Sequence, residues 1–473
     1  MSKIFLVASG MLSPKKRESV FSKKHCYVNY GILRLASVLY ESGVDAVVVQ
    51  GLFRSPEEII SRLISLGYGG SEYPLLLSVP TFFAVPWAIE FCRLLKALNP
   101  NQRIFVGGRW VVNGRVDWVY SQIPEVDLVI CGTSDDCIVD LVTTHNYEFQ
   151  TTVKGNKYIV SNSKMPKSFL RYELLDEAYR FHPSIEISRG CGRGCNFCVE
   201  RDIGMTSLQN PNLVVENLKY LRRLYNNEHF YTYFQASNFC PNQEWAFKLY
   251  EEYKRSHLDS LWRCEIRADT INPDTMKLLA SSGLRVIDVG LESASKSQLK
   301  RMGKTRDPDL YLEKADTLLR TASKLGIWTK LNVIFYPGET HKTINETISW
   351  LRQRKSLIKG VSVGSLILFG TQNEIKLSME EFNNLGTSLA KPKPDDPEGV
   401  YRLNLSNEIN CEVVEKYSSG ICKMFMSQEN YFVLKSFCYF PRDYKYAEYK
   451  ADIASIIQCT KMWHSSPVGS TVT

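Results

Sequence analysis

The stretch that decides the fold is Ser184-Ile-Glu-Ile-Ser188-Arg-Gly-Cys191-Gly-Arg-Gly-Cys195-Asn-Phe-Cys198. It begins as a short buried strand and continues as a loop in which cysteines alternate with glycines. Cysteine thiolates hold iron–sulfur clusters, and three thiolates on one loop can each bind one iron of a four-iron cluster. The fourth iron stays open to a small chelating ligand. The loop therefore predicts a [4Fe–4S] cluster on Cys191, Cys195 and Cys198, with glycines that let the backbone approach it.

Zinc and inert buried thiols are the alternative interpretations of this loop. Structural zinc usually takes four ligands, commonly in two separated pairs. The sequence has no second C-x2-C and no histidine close to the loop. Chance thiols would explain neither the position after a strand nor the glycines, so the cluster is the favoured interpretation.

Strand and helix patterns alternate in six units over residues 181–375. Six units are fewer than the eight of a closed (β/α)8 barrel, so an open, partial (β/α)6 barrel of the TIM type is expected. The predicted strands are 184–188, 230–235, 262–266, 286–290, 329–334 and 361–368. The predicted helices are 212–225, 243–255, 273–281, 310–325 and 342–354.

Residues 1–145 form a separate unit with the same alternation, which predicts a Rossmann-like domain with a parallel sheet and helices on both faces. Its predicted strands are 3–8, 44–50, 75–79, 103–106 and 127–130, and its helices are 31–43, one beginning at Ser55, and 87–98. Residues 146–180 are expected to be a connector with a hairpin around Gly155-Asn156. Residues 376–473 are expected to form a small α+β region with a turn-rich linker at 391–397, a helix over 446–459 and a mobile tail at 465–473.

Composition places the 473-residue chain among ordinary globular proteins, with 44% hydrophobic and 23% charged residues and a net charge of +8. These values exclude wholesale disorder and collagen-like repeats. No apolar run reaches the roughly 20 residues that span a bilayer, and the N-terminus resembles a strand more than a signal peptide. We therefore expect a cytoplasmic protein without membrane contact. The cysteines outside the loop and the Tyr- and Phe-rich segment 417–449 are expected to pack in the core.

Motifs beyond the loop resemble the radical S-adenosylmethionine (SAM) superfamily, which is defined by the cysteine triplet with an aromatic residue, here Phe197, before the third cysteine. Glu265-Ile-Arg-Ala-Asp269 resembles its third-strand E-x-R-x-D, and Gly290-Leu-Glu-Ser293 its fourth-strand G-x-E-S. Phe335-Tyr-Pro-Gly-Glu-Thr340 resembles the P-G-E-T after the fifth strand. The second strand departs from the pattern, because Gln235-Ala-Ser-Asn238-Phe239 stands where an acidic D-x-x-F is common.

The resemblance implies that the open iron binds SAM and that the reduced cluster cleaves it to a 5′-deoxyadenosyl radical, which abstracts a hydrogen atom from an unactivated carbon. Arg267 is the candidate for the SAM carboxylate, with an ion pair to Glu265 or Asp269 as the alternative. Glu292 would hold the ribose hydroxyls or the ammonium group, or form a structural ion pair. Residues 337–340 could equally be only a helix start capped by Thr340 or His341. The remaining candidates for SAM contacts are Phe197, Gln235, Asn238 and Asn332.

The N-terminal domain resembles the cobalamin-binding domain fused to one large radical SAM subfamily. The expected cobalamin contacts are Ser78, Thr81, Gly107, Gly108 and Gly132. A dinucleotide site or a plain tight turn would give the same Gly-Gly, although the G-x-G-x-x-G fingerprint is absent. The Asp-x-His-x-x-Gly cobalt-ligand motif is also absent, and His25 is expected to be an exposed loop residue. Gly132-Thr133 stands where the subfamily usually shows Gly-Glu.

These observations favour a cobalamin-dependent radical SAM C-methyltransferase with its site between the two domains. The alternative is a non-methylating radical SAM enzyme that catalyses a cyclisation, dehydrogenation or rearrangement. A non-catalytic iron–sulfur or corrinoid carrier would need none of the SAM-like motifs. The expected partners are a small-molecule or peptide substrate and a flavodoxin- or ferredoxin-type electron donor, without nucleic acid.

Overall fold

The computed structural model describes residues 3–14, 20–70, 72–144, 148–166, 168–226 and 230–464, so the predicted mobile tail at 465–473 lies outside the described residues. The described chain forms two parallel sheets with their helices, and a small antiparallel sheet with further helices near the C-terminus. No helix among these residues is long and apolar enough to cross a membrane.

The N-terminal sheet has the strand order β2-β1-β3-β4-β5-β7-β6, in which β1 to β5 run parallel. The strands are β1 Ile4–Ala8, β2 Ala46–Gln50, β3 Leu75–Ser78, β4 Ile104–Gly107, β5 Leu128–Thr133, β6 Gln150–Thr151 and β7 Lys157–Asn162. The helices are α1 Tyr30–Glu41, α2 Pro56–Ser65, α3 Val85–Leu98, α4 Val116–Gln122 and α5 Ile138–Thr143. The order 2-1-3-4-5 is one of the two common doubly wound arrangements, which place ligands where the strand order reverses, here between β1 and β3.

The segment predicted as a connector contains the predicted hairpin. β6 and β7 pair antiparallel around Gly155, and β7 also pairs in parallel with β5. The hairpin therefore extends the N-terminal sheet at the edge beyond β5.

The second sheet has six parallel strands in the order β13-β12-β11-β10-β9-β8, which confirms the partial barrel. Its strands are β8 Ser184–Glu186, β9 Tyr231–Gln235, β10 Leu261–Arg267, β11 Leu284–Glu292, β12 Trp328–Phe335 and β13 Gly360–Ser365. Its helices are α6 Pro211–Leu224, α7 Gln243–Arg255, α8 Pro273–Ser281, α9 Lys296–Arg301, α10 Pro308–Lys324 and α11 His341–Gln353.

The last predicted strand, 361–368, was wrong as a single element. β13 ends at Ser365, and Ile367–Phe369 forms β14, which pairs antiparallel with β16 outside the barrel. A continuous apolar run does not distinguish one strand from two strands that meet at a bend, because both bury the same residues.

The C-terminal region adds β14 Ile367–Phe369, β15 Ser388–Leu389 and β16 Val400–Asn404, with helices α12 Gln372–Phe382, α13 Cys411–Phe425, α14 Gln428–Ser436 and α15 Tyr446–His464. Residues 391–397 connect β15 to β16, so this turn-rich segment is a loop of the small sheet. Phe437 stacks on Tyr231 of β9 with ring centroids 3.8 Å apart. The C-terminal region therefore packs directly against the barrel.

His25 corrects one prediction, because it is half-buried and not an exposed loop residue. Its ring lies 6.0 Å from the rings of both Tyr439 and Phe440. Burial, with a smaller contribution from Lys435, lowers its pKa to about 3. The sequence could not show this contact, since it joins residues more than 400 positions apart.

Candidate active site

The cysteine loop leaves β8 and folds back on residues 203–206. The backbone N–H groups of Cys191 and Gly192 donate to the carbonyl of Ile203 at 3.1 and 2.9 Å. Gly190 has φ +71°, and a Cβ there would lie 2.2 Å from the Gly204 carbonyl oxygen. The loop therefore requires glycine at this position for its own packing.

The three cysteine sulfurs lie in one electrostatic environment. Burial raises the pKa of Cys191 and of Cys198, and the charge of Cys195 acts on both. Arg267 Nη1 donates to Cys195 Sγ at 3.5 Å, and the Glu200 N–H donates to Cys198 Sγ at 3.4 Å. Such donors stabilise thiolates, so the loop is suited to hold a negatively charged cluster.

Among the described residues, no three His, Cys, Asp or Glu side chains are grouped to hold one metal ion. In a four-iron cluster each cysteine binds a different iron, so the three thiolates need not converge on one point. The cluster on Cys191, Cys195 and Cys198 stays a prediction, with zinc as its alternative.

Arg267 is buried and connects β10 to the cluster loop. Its Nε and Nη2 donate to the Asp269 carboxylate at 3.0 and 3.2 Å, and Nη2 also donates to the Lys304 carbonyl at 2.7 Å. The ion pair considered as an alternative thus exists with Asp269 and not with Glu265. Because Nη1 reaches Cys195 as well, this guanidinium lies beside the cluster position.

Glu292 is a buried residue at the end of β11 with a left-handed backbone, φ +65°. Its Oε1 accepts from Lys304 Nζ at 2.9 Å. That ammonium group lies 6.0 Å from the ring centroid of Phe197. The ion pair considered for Glu292 is therefore present, and it borders the cluster loop.

The barrel interior carries a row of polar side chains across β10, β11 and β12. Lys330 Nζ donates to Asp288 Oδ1 at 2.9 Å and to Asn332 Oδ1 at 3.0 Å. Asn332 Nδ2 lies 3.4 Å from Glu265 Oε1. The Glu265 side chain is exposed in this open interior. These side chains provide the barrel interior with polar groups that can bind a polar ligand.

Gln235, the last residue of β9, and Asn238, which follows it, differ in their surroundings. Gln235 Nε2 donates to Ser184 Oγ at 3.0 Å. Asn238 is 1% exposed, and neither atom of its amide has a partner among the described residues. A buried amide without partners costs free energy, so this loop has hydrogen-bonding capacity that a bound group can use.

Residues 337–340 include a helix start, as the alternative interpretation held. Thr340 is the N-cap of α11, and its side chain accepts from the Thr343 N–H. Glu339 is buried, and burial raises its pKa to about 7.

At the carboxyl edge of the N-terminal sheet, two of the predicted glycines are required by the chain itself. A Cβ on Gly108 would lie 2.6 Å from the Val79 carbonyl oxygen, and one on Gly132 would lie 2.1 Å from that of Ser161. Ser78, at the end of β3, lies beside the β1–β3 crevice: its hydroxyl accepts from Asn29 Nδ2 at 3.1 Å, and its carbonyl from Ser9 Oγ at 3.0 Å. Polar groups therefore line the position where doubly wound sheets bind ligands.

Ion pairs join this edge to the cluster loop. Arg189 donates both Nη groups to Asp135 and its Nε to Glu186. Arg109 pairs with Glu200. These contacts have no signal in the sequence, because no motif contains Asp135 or Arg109 and only the fold brings them to the loop.

Residues 185–351 match the family model of the radical SAM superfamily. This segment is therefore a radical SAM domain, and such a domain implies a [4Fe–4S] cluster and SAM as cofactors.

Curated relatives are distant. An uncharacterized methyltransferase of Pyrococcus horikoshii is 27% identical over 175 residues, 35% of this chain and 36% of the relative. A tRNA-2-methylthio-N(6)-dimethylallyladenosine synthase of Clostridium botulinum is 21% identical over 273 residues, 55% of this chain and 58% of the relative. The chain thus spans less than two thirds of the length of either relative.

Two solved structures share the fold over most of the chain. The radical SAM methyltransferase TsrM from Kitasatospora setae, with cobalamin and a [4Fe–4S] cluster bound, has a TM-score of 0.63 at 16% identity and covers 88% of this chain and 85% of its own. The cobalamin-dependent SAM radical enzyme OxsB, with aqua-cobalamin and SAM bound, has a TM-score of 0.66 at 16% identity and covers 98% and 71%. The N-terminal domain and the partial barrel thus form the architecture of these cobalamin-dependent radical SAM enzymes.

Proposed function

We propose that this protein is a cobalamin-dependent radical SAM methyltransferase whose reaction takes place between the N-terminal sheet and the barrel. The observation that carries the proposal is that the carboxyl edge of the N-terminal sheet meets the cluster loop. Asp135 follows β5 and contacts Arg189, which precedes the first cysteine by two residues. A molecule bound at that edge would therefore lie near Cys191, one of the cysteines that would hold the cluster.

The chain's own residues would hold the cofactors as follows. Cys191, Cys195 and Cys198 would bind the cluster, and Arg267 would stabilise the Cys195 thiolate through its 3.5 Å contact. Arg267 and Glu292 remain the proposed contacts for the charged groups of SAM. When bound, the cluster and SAM supply a 5′-deoxyadenosyl radical, and cobalamin carries a methyl group.

The N-terminal crevice fits a cobalamin in position and polarity. Ser78 ends β3 and Thr81 follows it, at the reversal of strand order where the crevice opens. Gly108 and Gly132 carry no independent support, since the fold requires them without a ligand. Cobalamin binding by Ser78, Thr81, Gly107, Gly108 and Gly132 therefore stays a prediction.

Anaerobic reconstitution with iron, sulfide and hydroxocobalamin tests the proposal without knowledge of the substrate. We expect one tightly held cobalamin per chain. After the cobalt is reduced to Co(I) with titanium(III) citrate, we expect transfer of a deuterated methyl group from SAM to the cobalt with release of S-adenosylhomocysteine, detected by mass spectrometry of the extracted corrinoid. A Ser78→Trp variant, which fills the crevice, should lose cobalamin and keep iron. Protein that retains iron and cleaves SAM but holds no cobalamin would contradict the proposal.

A non-methylating radical SAM enzyme is the second candidate. The likeness to OxsB, a cobalamin-dependent SAM radical enzyme, supports this candidate as well. A product without an added methyl group would decide for it. The substrate, a small molecule or a peptide, stays a prediction, as does the flavodoxin- or ferredoxin-type electron donor. The absence of a nucleic-acid partner also stays a prediction, because a curated relative is a tRNA-modifying enzyme.

A further inference from the structure

The cluster loop is bracketed by charged residues that contact the N-terminal domain. Arg189 lies two residues before Cys191, and Glu200 lies two residues after Cys198. Each side chain forms an ion pair with a residue in a loop at the carboxyl edge of the N-terminal sheet. The three cysteines thus lie between two attachment points.

The first attachment is a buried network. Arg189 Nη1 and Nη2 donate to the two oxygens of Asp135 at 2.8 and 3.1 Å. Arg189 Nε donates to Glu186 Oε1 at 2.7 Å, and Glu186 also accepts from Arg34 of α1 at 3.2 Å. The side chains of Arg34, Glu186 and Asp135 are only 3%, 4% and 4% exposed. Two cations and two carboxylates balance, so the network satisfies the charges that it buries.

The second attachment is smaller and nearer to solvent. Glu200 Oε1 pairs with Arg109, and the side chains are 12% and 67% exposed. Arg109 directly follows Gly107-Gly108, at the loop where the cobalamin contacts are proposed. The backbone N–H of Glu200 donates to Cys198 Sγ at 3.4 Å. One residue therefore contacts both a cluster ligand and the N-terminal edge.

Tyr30, the first residue of α1, is affected by the charges of both ion pairs. Burial raises the pKa of its phenol, and the charges of Arg109 and Glu200 act on it. The charges of Glu186 and Arg189 act on the same phenol. Charges from both ion pairs therefore act on one side chain of the N-terminal domain.

We infer that the Arg109–Glu200 and Asp135–Arg189 ion pairs couple ligand binding at the N-terminal edge to SAM binding at the cluster, with Glu200 and Arg189 as positioning residues. The inference rests on the proposed function. A ligand that fixes the Arg109 loop fixes Glu200 and, through it, the segment that carries Cys198. Coupling of this kind is reciprocal: occupancy of either site strengthens binding at the other by the same factor.

A charge exchange tests the coupling. The variants are Glu200→Gln, Arg109→Glu and the double variant Arg109→Glu/Glu200→Arg, with Asp202→Asn as the matched control. Asp202 lies on the same loop and is 86% exposed, and its ion pair is with Arg201. In the full chain without cofactors, hydrogen exchange of residues 190–206 should be several-fold faster in the single variants and near wild type in the double variant and the control.

The second readout uses the reconstituted protein. SAM is titrated against the EPR spectrum of the reduced cluster, with and without bound cobalamin. We expect cobalamin to strengthen SAM binding by about five-fold or more in the wild type, by much less in Glu200→Gln, and again by about the wild-type factor in the double variant. Iron content should be equal in all of them.

Three outcomes would overturn the inference: a cobalamin-loaded wild type without coupling, a Glu200→Gln variant with unchanged coupling, or a double variant that is not rescued. Failure of the wild type to bind cobalamin would instead refute the proposed function. In that case, unchanged hydrogen exchange in Glu200→Gln would also show that the Arg109–Glu200 ion pair does not hold the cluster loop in place.

Discussion

The two parallel sheets follow the same alternation of strands and helices, yet their strands bury different residues. All five residues of β1 are buried, and all are apolar or small. In the barrel, β12 alternates buried residues with half-buried ones. On β10 the charged residues Arg263, Glu265 and Arg267 occupy every second position.

The difference reflects what covers each face of the two sheets. Helices cover both faces of the N-terminal sheet, so its strands are apolar on both sides. The helices that alternate with the barrel strands cover its outer face, whereas its inner face carries charged side chains, and Leu434 of α14 accepts there from Arg263. A charged row inside the barrel and an apolar core in the N-terminal sheet should therefore fail in different ways when they are mutated.

The largest effect is expected at the cluster loop. Cys195→Ala should abolish iron binding and 5′-deoxyadenosine formation, because a cluster on three thiolates loses one of its protein ligands. Iron analysis and chromatography of the SAM products measure both. The control is Cys92→Ala, a fully buried cysteine of α3 in the other region, which should keep both. Iron retained at the wild-type level in Cys195→Ala would contradict the assignment.

The barrel interior is expected to fail through charge. Arg263 is buried and pairs with Asp288, with Nη2 and Oδ1 2.7 Å apart. Arg263→Met removes that cation and should lower the free energy of unfolding by about 3 kcal/mol, since Asp288 loses a buried partner. Urea denaturation, with hydrogen exchange of the β10 peptides, measures the loss.

Two comparisons sharpen this result. Adding Asp288→Asn to Arg263→Met should recover only part of the loss, because Asp288 keeps Lys330 as a partner in the single variant and that lysine loses the carboxylate in the double variant. In the N-terminal sheet, Leu6→Ala should cost a similar amount, about 3 kcal/mol, through lost volume alone. An Arg263→Met variant as stable as wild type would remove the proposed difference between the sheets.

A smaller effect is expected from pH. Burial raises the pKa of Glu339 from 4.5 to about 7 in the folded barrel. Between these values the unfolded chain has lost the proton that the folded protein still holds, so the free energy of unfolding should fall as pH rises from about 4.5 to 7 and then level off. Glu339→Gln should make this decline shallower. Denaturation at each pH measures the free energy of unfolding. An unchanged decline in Glu339→Gln would show that Glu339 titrates normally.

The smallest effects are expected at two helix caps, one in each region. Ser55 caps α2 and Thr340 caps α11, both with capping boxes. Ser55→Ala and Thr340→Ala should each cost about 1 kcal/mol of stability. If Thr340 serves only as a cap, its variant should cleave SAM at the wild-type rate. A strong loss of cleavage with iron retained would give the P-G-E-T segment a role in the site.

Prediction from sequence worked where the signal is local. The cysteine loop, the capping residue Ser55 and the hairpin at Gly155 all depend on residues within a few positions of one another, and the structure has each element. The six barrel strands followed from their apolar patterns. The prediction failed for His25 and for the bend at Leu366, because contacts with distant segments decide both.

The sequence by itself determined the radical SAM domain over residues 185–351 and predicted its cluster ligands, since that chemistry needs three thiolates at fixed spacing on one loop. Only the tertiary structure decided which charges meet that loop. Asp135 lies 54 positions from Arg189 in the chain, and Arg109 lies 91 positions from Glu200. Pairing at such separations has no periodic signature in the chain, and it forms only where two sheets present their carboxyl edges to each other.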